Sequence, residues 1–499
     1  MLTNILKRAG TDAFKYFPVR LVPALTSLIT VPLFTRLIAR EDYGNFSLIS
    51  SAISLIAVIV TQWVNGSIVR FYWTYEKEGR ADDYVATSIW SVTGALVTAA
   101  LVCGAVVMLV GKSISPGLMH LIPIGLASLA VNYLSDSLLQ ILRAANKSTG
   151  YAILSVAKTL VGTAFSVWFV AGPRLGAWGI LAGVVLGNLI VTPFGLWMTS
   201  KQGSLSPAHV RKDVLGQFAS YGLPLVPAAM SSWALVLADR YVIGALRGAS
   251  EVGLYSTAYT LGDKIMNLII MPLMITMGPV MVMTFEKNGQ ELAQQVQTQF
   301  TRYYAMVTFP IIAGMSAVTY QFFQVFVGPS YREAYAVLPI VMVGVMGYGL
   351  VQIAANGVAL HKRSTIIMTN TVAAAAINVA SNLYFVPKFG YIAAAFNTVL
   401  AYFVLLGLTW HRSKPYMAWQ LPWKNLARIT FSSALMGFLV WFGFHRLTGT
   451  VWVLIAEVAS GIVLYALALV LFRELEPAER DFFKDLTAKA VAKLRPRRP

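Results

Sequence analysis

Charge is what this sequence has least of. Asp, Glu, Lys and Arg make up 12% of 499 residues while 57% are hydrophobic, and the mean hydropathy of +0.65 is too high for a water-soluble fold of this length. Cysteine is almost absent. Cys103 stands alone inside an apolar stretch, which excludes an intrachain disulfide and a thiolate metal site. His120, His209, His361, His411 and His445 show no helical pairing, so a histidine metal centre is excluded too. No Gly-x-Ser-x-Gly elbow is present. Gly111-Lys112-Ser113 ends like a phosphate-cradling loop, but Val106 occupies the position of its first glycine. The expectation is a protein that is not an enzyme, is not driven directly by ATP, and holds no cofactor or metal. No short apolar core followed by a small-x-small cleavage site marks a removable signal peptide.

Long apolar runs are abundant. About fourteen are long enough to cross roughly 30 Å of hydrocarbon as helices: 17–38, 45–69, 85–110, 119–142, 151–171, 177–198, 219–246, 253–283, 303–327, 334–360, 365–386, 391–410, 427–445 and 451–472. The short alternating segments of a transmembrane barrel are missing, so helices are the remaining spanning structure. The expected class is all-α and polytopic. With both termini inside, about 27 of the 39 basic residues fall on the inner side and about 8 on the outer, as the positive-inside rule requires. The net charge of +18 is spread over inner loops and a tail, which suits anionic lipid headgroups and not nucleic acid. Residues 1–16 read as an interfacial helix entering span one.

The chain repeats itself at long period. Asp42, Gly44, Phe46 and Ser47 form an acidic-x-Gly-x-aromatic-Ser pattern that returns about 209 positions later as Glu251, Gly253, Tyr255 and Ser256. Lys147-Ser148 returns as Arg363-Ser364, and Gly172-Pro173-Arg174-Leu175-Gly176 as Val386-Pro387-Lys388-Phe389-Gly390. The expected organisation is an N-lobe of spans one to six (1–200), a cytoplasmic linker (201–216), a C-lobe of spans seven to twelve (217–411), two extra spans (412–472) and a basic cytoplasmic tail (473–499). Six spans per copy make the repeat parallel, with its pseudo-twofold along the membrane normal. Both copies of the pattern are expected in outer loops, where a tight turn explains the glycine. Gly179, Gly183 and Gly187 read as close helix packing.

Ionisable residues at membrane depth are costly unless they face protein or water. Arg20, Lys158, Arg240 and Lys264, with Arg70 at an inner span end, would suit an anionic substrate in a central cavity. For Arg20 and Arg70, snorkelling to the inner headgroups is the competing reading. Asn65, Gln352 and Asn356, like Gln62, Asn188, Asn378 and Asn397, are candidates to hydrogen-bond sugar hydroxyls, against interhelical bonding. Asp136, Asp239, Asp263 and Glu457 are the candidates for coupling to H+ or Na+. In Asp239-Arg240 and Asp263-Lys264 neighbours splay by about 100° on a helix, so cross-pairing between spans seven and eight is expected. Glu457 stands alone, to be stabilised by protonation or by water.

The run Val31-Pro32-Leu33 through Arg40-Glu41-Asp42-Tyr43-Gly44-Asn45-Phe46-Ser47-Leu48 to Val69-Arg70-Phe71-Tyr72 resembles the opening of Wzx-type polysaccharide and O-antigen flippases. These belong to the multidrug, oligosaccharidyl-lipid and polysaccharide exporter superfamily. Tyr221-Gly222-Leu223-Pro224, Asp239-Arg240-Tyr241 and the second pattern agree. The resemblance implies alternating access between two lobes and movement of an undecaprenyl-diphosphate-linked oligosaccharide between leaflets of a bacterial inner membrane. It further implies an ion gradient as drive, basic residues on the diphosphate, and a polymerase and chain-length regulator as partners. The similar lipid II flippases also have fourteen spans, the last two forming a groove for the lipid tail. Their amino-terminal Ser-Arg-x-Leu-Gly signature is absent, so a peptidoglycan precursor is the second choice. An ion-coupled multidrug antiporter is the third, disfavoured by the two extra spans and the basic excess.

Overall fold

A computed structural model describes residues 2–447, 449–475 and 479. The helices are α1 (Leu2–Leu37), α2 (Arg40–Lys77), α3 (Ala81–Val110), α4 (Pro116–Ala144), α5 (Ser148–Ala171), α6 (Gly176–Ser200), α7 (Lys212–Gly222), α8 (Val226–Arg247), α9 (Ala249–Phe326), α10 (Val337–Ala354), α11 (Asn356–Leu360), α12 (Ser364–Ser413), α13 (Trp423–Phe444) and α14 (Val451–Leu471). Among the described residues twelve helical stretches are long and apolar enough to cross a membrane. Two of them hold a glycine at positive φ, Gly289 in α9 and Gly390 in α12. Only a residue without a Cβ adopts that conformation freely, and each break divides its helix into two passes. The fourteen expected runs are thereby accommodated. The polar stretch between spans eight and nine is helical up to and beyond Gly289, where a loop was expected.

Residues 2–17 continue into span one as one helix. Pro18, Pro23 and Pro32 lie inside it. The hydroxyls of Thr26, Ser27 and Thr35 bond back to the carbonyls of Val22, Pro23 and Pro32, which satisfies these polar side chains within the spanning helix.

α1–α6 pack as one lobe and α8–α12 as the other, while α13 and α14 lie against the second half of α9. The small residues of α6 work as expected. A Cβ on Gly183 would fall 2.2 Å from the Ser166 amide nitrogen and one on Gly187 2.4 Å from the Gly162 Cα, so α5 and α6 cross at backbone distance. In α12, Asn397 donates to Asn382 across the Gly390 break and Asn382 to Asn378 within one pass, which engages these buried amides with one another.

The polar segment after α6 is docked, not slack. Asp82 accepts from the Ser204 amide at 2.7 Å, Thr87 from the Arg211 amide at 3.0 Å, and Asp213 from Arg80 at 2.7 Å. Asp83 meets His209 and Arg211, each at 3.3 Å. Burial pushes the Asp83 carboxyl up, yet the His209 hydrogen bond and the Arg211 and Arg80 charges carry it below its ordinary value. The Arg80 hydrogen bond likewise holds Asp213 low. α7 follows, with Phe218 buried against Tyr84 and Tyr75 bonded to Gln217.

At the far end of the chain Arg302, 2% exposed, binds Glu474 and Glu479 at 2.8 Å each, and Asn425 donates to the same Glu474. This cluster fastens the end of α14 to α9 and α13. Apart from Glu479, the expected basic tail from 476 onward lies outside the described residues.

Candidate functional site

The duplicated pattern lies at the end of the bundle where α1 turns into α2 and α8 into α9, here the motif end. It does not form turns. Gly44 and Gly253 are helical, and only Ile38 and Ala39 separate α1 from α2. A Cβ on Gly44 would fall 1.8 Å from the Ala249 carbonyl oxygen, and one on Gly253 would fall 2.0 Å from that of Arg40. Each copy presses its glycine against the first turn of the other, and Ser47 and Ser256 share a hydrogen bond of 2.7 Å. The expected turn role is therefore replaced by close contact between the lobes. Tyr331 donates to the Ile38 carbonyl, the Gly328 amide donates to Thr35, and Arg40 pairs with Glu333, which completes the seal. The second repeated element supports the first: Glu251 accepts from the Tyr391 amide beside Gly390, and Asp42 lies beside Gly176, the matching glycine at positive φ.

Below the seal, two cavities lie between the lobes. One, of about 520 Å³, brings Arg20 of α1 together with Lys264 and Asn267 of α9 and Tyr151 of α5. Among the described residues Arg20 has no acidic partner. Lys264 reaches back to Asp263 at 3.0 Å, and Asn267 donates to the same carboxylate at 2.7 Å. The other, of about 380 Å³, is lined by Lys158, Thr30, Asn132, Asn188 and Thr260. Lys158 is paired there. Its ammonium lies 2.5 Å from Asp136 and donates to the Asn132 carbonyl. Asn188 is buried and its Oδ1 accepts no hydrogen bond among the described residues, an open polar position on the wall.

Local pairing replaces the expected cross-pairing of spans seven and eight. Arg240 lies 3.4 Å from Asp239 and stacks on Tyr259 at 4.9 Å, while Tyr255 donates to Asp239. Helical splay of the Cβ atoms did not prevent contact, because the long Arg240 and Lys264 side chains fold back.

The remaining candidates lie apart from the lining of these two cavities. Arg70 is exposed near the other end of α2, 5.7 Å over Phe71. Asn65 donates to Thr61. Asn356 donates to the carbonyls of Gln352 and Ile353, and the Gln352 side chain is exposed. Glu457 is buried, with Oε2 unbonded among the described residues, in an apolar pocket formed by α9, α13 and α14. Sequence reasoning passed over Arg302, since a basic residue at a span boundary looks like any other, and over the serine-rich wall of α2 discussed below.

Comparison with known proteins gives concordant results. The family model described as polysaccharide biosynthesis protein matches residues 10–285. No curated protein sequence matches the chain. Among solved structures, the lipid II flippase MurJ in an inward closed conformation superposes with a TM-score of 0.74 at 14% identity, covering 93% of this chain and 99% of that one. An inward-facing multidrug resistance MATE family transporter of the MOP superfamily gives 0.62 at 12% identity, covering 84% and 96%. A MOP superfamily transporter from Pyrococcus furiosus, described by a reversed polarity of its binding pocket, gives 0.56 at 12% identity, covering 83% and 96%. At these identities the structural likeness shows the fold alone.

Proposed function

The chain belongs to the polysaccharide biosynthesis protein family, and from that premise we propose that it is a flippase of the MOP superfamily that translocates a polyprenyl-diphosphate-linked oligosaccharide across a bacterial inner membrane. The supporting observation is the meeting of Arg20 and Lys264, one from each lobe, in a single cavity. Two cations close together suit a diphosphate, and donors that grip both lobes let binding energy drive their relative motion.

On this reading the motif end is the outer one, both termini are cytoplasmic, and the observed conformation is closed outward. The headgroup enters at Arg20 and Lys264. Lys158, released from Asp136, takes it further in, and Thr30, Asn132 and Asn188 offer hydrogen bonds to sugar hydroxyls. Opening outward requires the Ser47–Ser256 bond and the glycine contacts to part. Asp136 and Asp263, each bound to a cavity lysine, are the candidates for H+ or Na+ coupling, because neutralising either carboxylate frees a cation for the diphosphate. The surface or secreted polysaccharide machinery, including a polymerase and chain-length regulator, would receive the product.

Deleting the gene tests the assignment. Polymer export should stop and the lipid-linked unit should accumulate on the inner leaflet; normal polymer in the deletion strain would refute it. Accumulation of lipid II instead would identify a peptidoglycan precursor as cargo, and raised drug sensitivity with intact polymer would identify a drug antiporter.

A further inference from the structure

A third cavity, of about 260 Å³, lies between the seal and the two already described. Its walls are Ser47, Ser50, Ser51 and Ser54 of α2, with Arg240 of α8 and Ser256 of α9 opposite. Tyr43, Phe46 and Thr260 line both this cavity and the one that holds Lys158, so the two are adjacent. Helix rise of about 1.5 Å per residue puts Arg240 about 10 Å below the motif end, Lys158 about 20 Å and Arg20 about 25 Å.

Arg240 is a buried guanidinium, 5% exposed, whose hydrogen bonds are incompletely used. One nitrogen, Nη1, donates to the Val236 carbonyl at 3.0 Å and touches Asp239 at 3.4 Å. Nε and Nη2 make no hydrogen bond among the described residues. Asp239 does not line the cavity, and its oxygens are taken by the Tyr255 hydroxyl and by the Arg240 amide at 2.8 Å. Across the space, Ser47 bonds Ser256, Ser51 bonds back to the Ser47 carbonyl, and Ser54 accepts from Trp233. The Ser50 hydroxyl makes no hydrogen bond among the described residues. A planar fork with spare N–H groups facing a wall of hydroxyls matches an oxyanion of phosphate type, which accepts on every oxygen. Arg240 also lies over the Tyr259 ring at 4.9 Å and the Tyr255 ring at 5.9 Å, contacts that stabilise its charge but give Nε and Nη2 no oxygen acceptor.

We propose that this cavity is a second oxyanion site, separate from Arg20 and Lys264, that binds a phosphate or diphosphate group against Arg240 and the α2 hydroxyls. Its roof is the Ser47–Ser256 bond, so an occupant wedges between the two copies of the repeated pattern and favours separation of the lobes there. The anion is either the headgroup of the lipid-linked substrate, handed on from Lys158, or a free anion. Only the first source rests on the function proposed above.

Inorganic pyrophosphate titrated calorimetrically into the purified full-length protein in nanodiscs tests the site. Wild type should bind two equivalents and Arg240→Gln one. The Arg20→Gln/Lys264→Gln double variant should keep the equivalent that Arg240 holds. Should Arg240→Gln fail to fold, Ser50→Leu fills the cavity from the opposite wall and should weaken that equivalent at least about tenfold. Unchanged stoichiometry and affinity in Arg240→Gln or in Ser50→Leu would overturn the proposal. Competition with undecaprenyl diphosphate separates the sources: displacement from the Arg240 site supports a lipid-borne headgroup, and retention of pyrophosphate supports a free-anion site. Failure of lipid-linked sugar to move in vesicles would refute the transport reading and leave the pyrophosphate stoichiometry intact.

Discussion

Replacing Gly44 by alanine tests the structural reading of the repeated pattern most sharply. The new methyl carbon would sit 1.8 Å from the Ala249 carbonyl oxygen and 3.0 Å from the Gly253 amide nitrogen, and both are backbone atoms that cannot rotate away. Overpacking of this kind costs about 1–3 kcal/mol. The cost falls only on the conformation in which the lobes touch, since a separated motif end leaves the methyl in open space. A bias of about 1–3 kcal/mol corresponds to a roughly 5- to 150-fold shift of the equilibrium towards the outward-open state. Spin labels at Glu41→Cys and Ala245→Cys, both exposed positions at the motif end, in a Cys103→Ala background, would report it as a longer inter-label distance. Gly253→Ala should act alike, through the Arg40 carbonyl at 2.0 Å. Gly94→Ala, which meets nothing within 4 Å, is the control and should leave the distances unchanged. Distances in Gly44→Ala and Gly253→Ala identical to wild type would refute the idea that these glycines hold the lobes together.

Four further outcomes follow from the geometry. Lys158→Met should abolish transport while the protein still inserts. Asp136→Asn should raise affinity for a diphosphate probe about tenfold, because a charge-assisted bond worth about 1.5–3 kcal/mol no longer competes for the lysine; lower affinity would show that the pair is structural. Arg302→Met should leave Glu474 buried without its main partner and cost about 3–5 kcal/mol, read as early release of α13 and α14 in hydrogen exchange, with α1–α6 unaffected. The contribution of the Asp83 and Asp213 carboxylates to docking of the segment before α7 should be undiminished between about pH 5 and 8. The Asp83 and Asp213 carboxyls are lowered in the folded chain, so their contribution is complete above the ordinary Asp value of about 3.9 and is lost only as pH falls through the depressed values. Hydrogen exchange of α7 that loosened between pH 8 and 6 would contradict this.

The architecture was legible because its signals are long. Fourteen apolar runs and a pattern repeated at a distance of 209 residues survive errors of several residues at each boundary. The reading of the pattern itself failed for a definable reason. A glycine close after an acidic residue at the start of an apolar run is equally consistent with a turn and with a close helix crossing, and only the position of Ala249 opposite Gly44 decides between them. Gly289 and Gly390 show the complement, since both breaks fall in the gaps between apolar runs, at 284–302 and 387–390, and only the near-continuity of helix across them was hidden. The candidate site was half visible. Arg20, Lys158 and Lys264 stand out as cations at membrane depth, and two cavities collect them. Their partners follow different rules. The Asp136–Lys158 pair joins neighbouring helices across 22 positions, a register that helical periodicity within either helix does not contain. The serines of α2 are too common in packed membrane helices to draw notice until Arg240 is seen facing them.

The central claim is that a diphosphate headgroup crosses between the lobes on Arg20 and Lys264. Purified protein reconstituted in vesicles with a fluorescent polyprenyl-diphosphate oligosaccharide, read by accessibility of the sugar to an enzyme added outside, measures that crossing directly. Wild type should expose the sugar several times faster than protein-free vesicles, and Arg20→Gln and Lys264→Gln should each abolish the difference at equal reconstitution. Crossing at the wild-type rate in both variants would contradict the account.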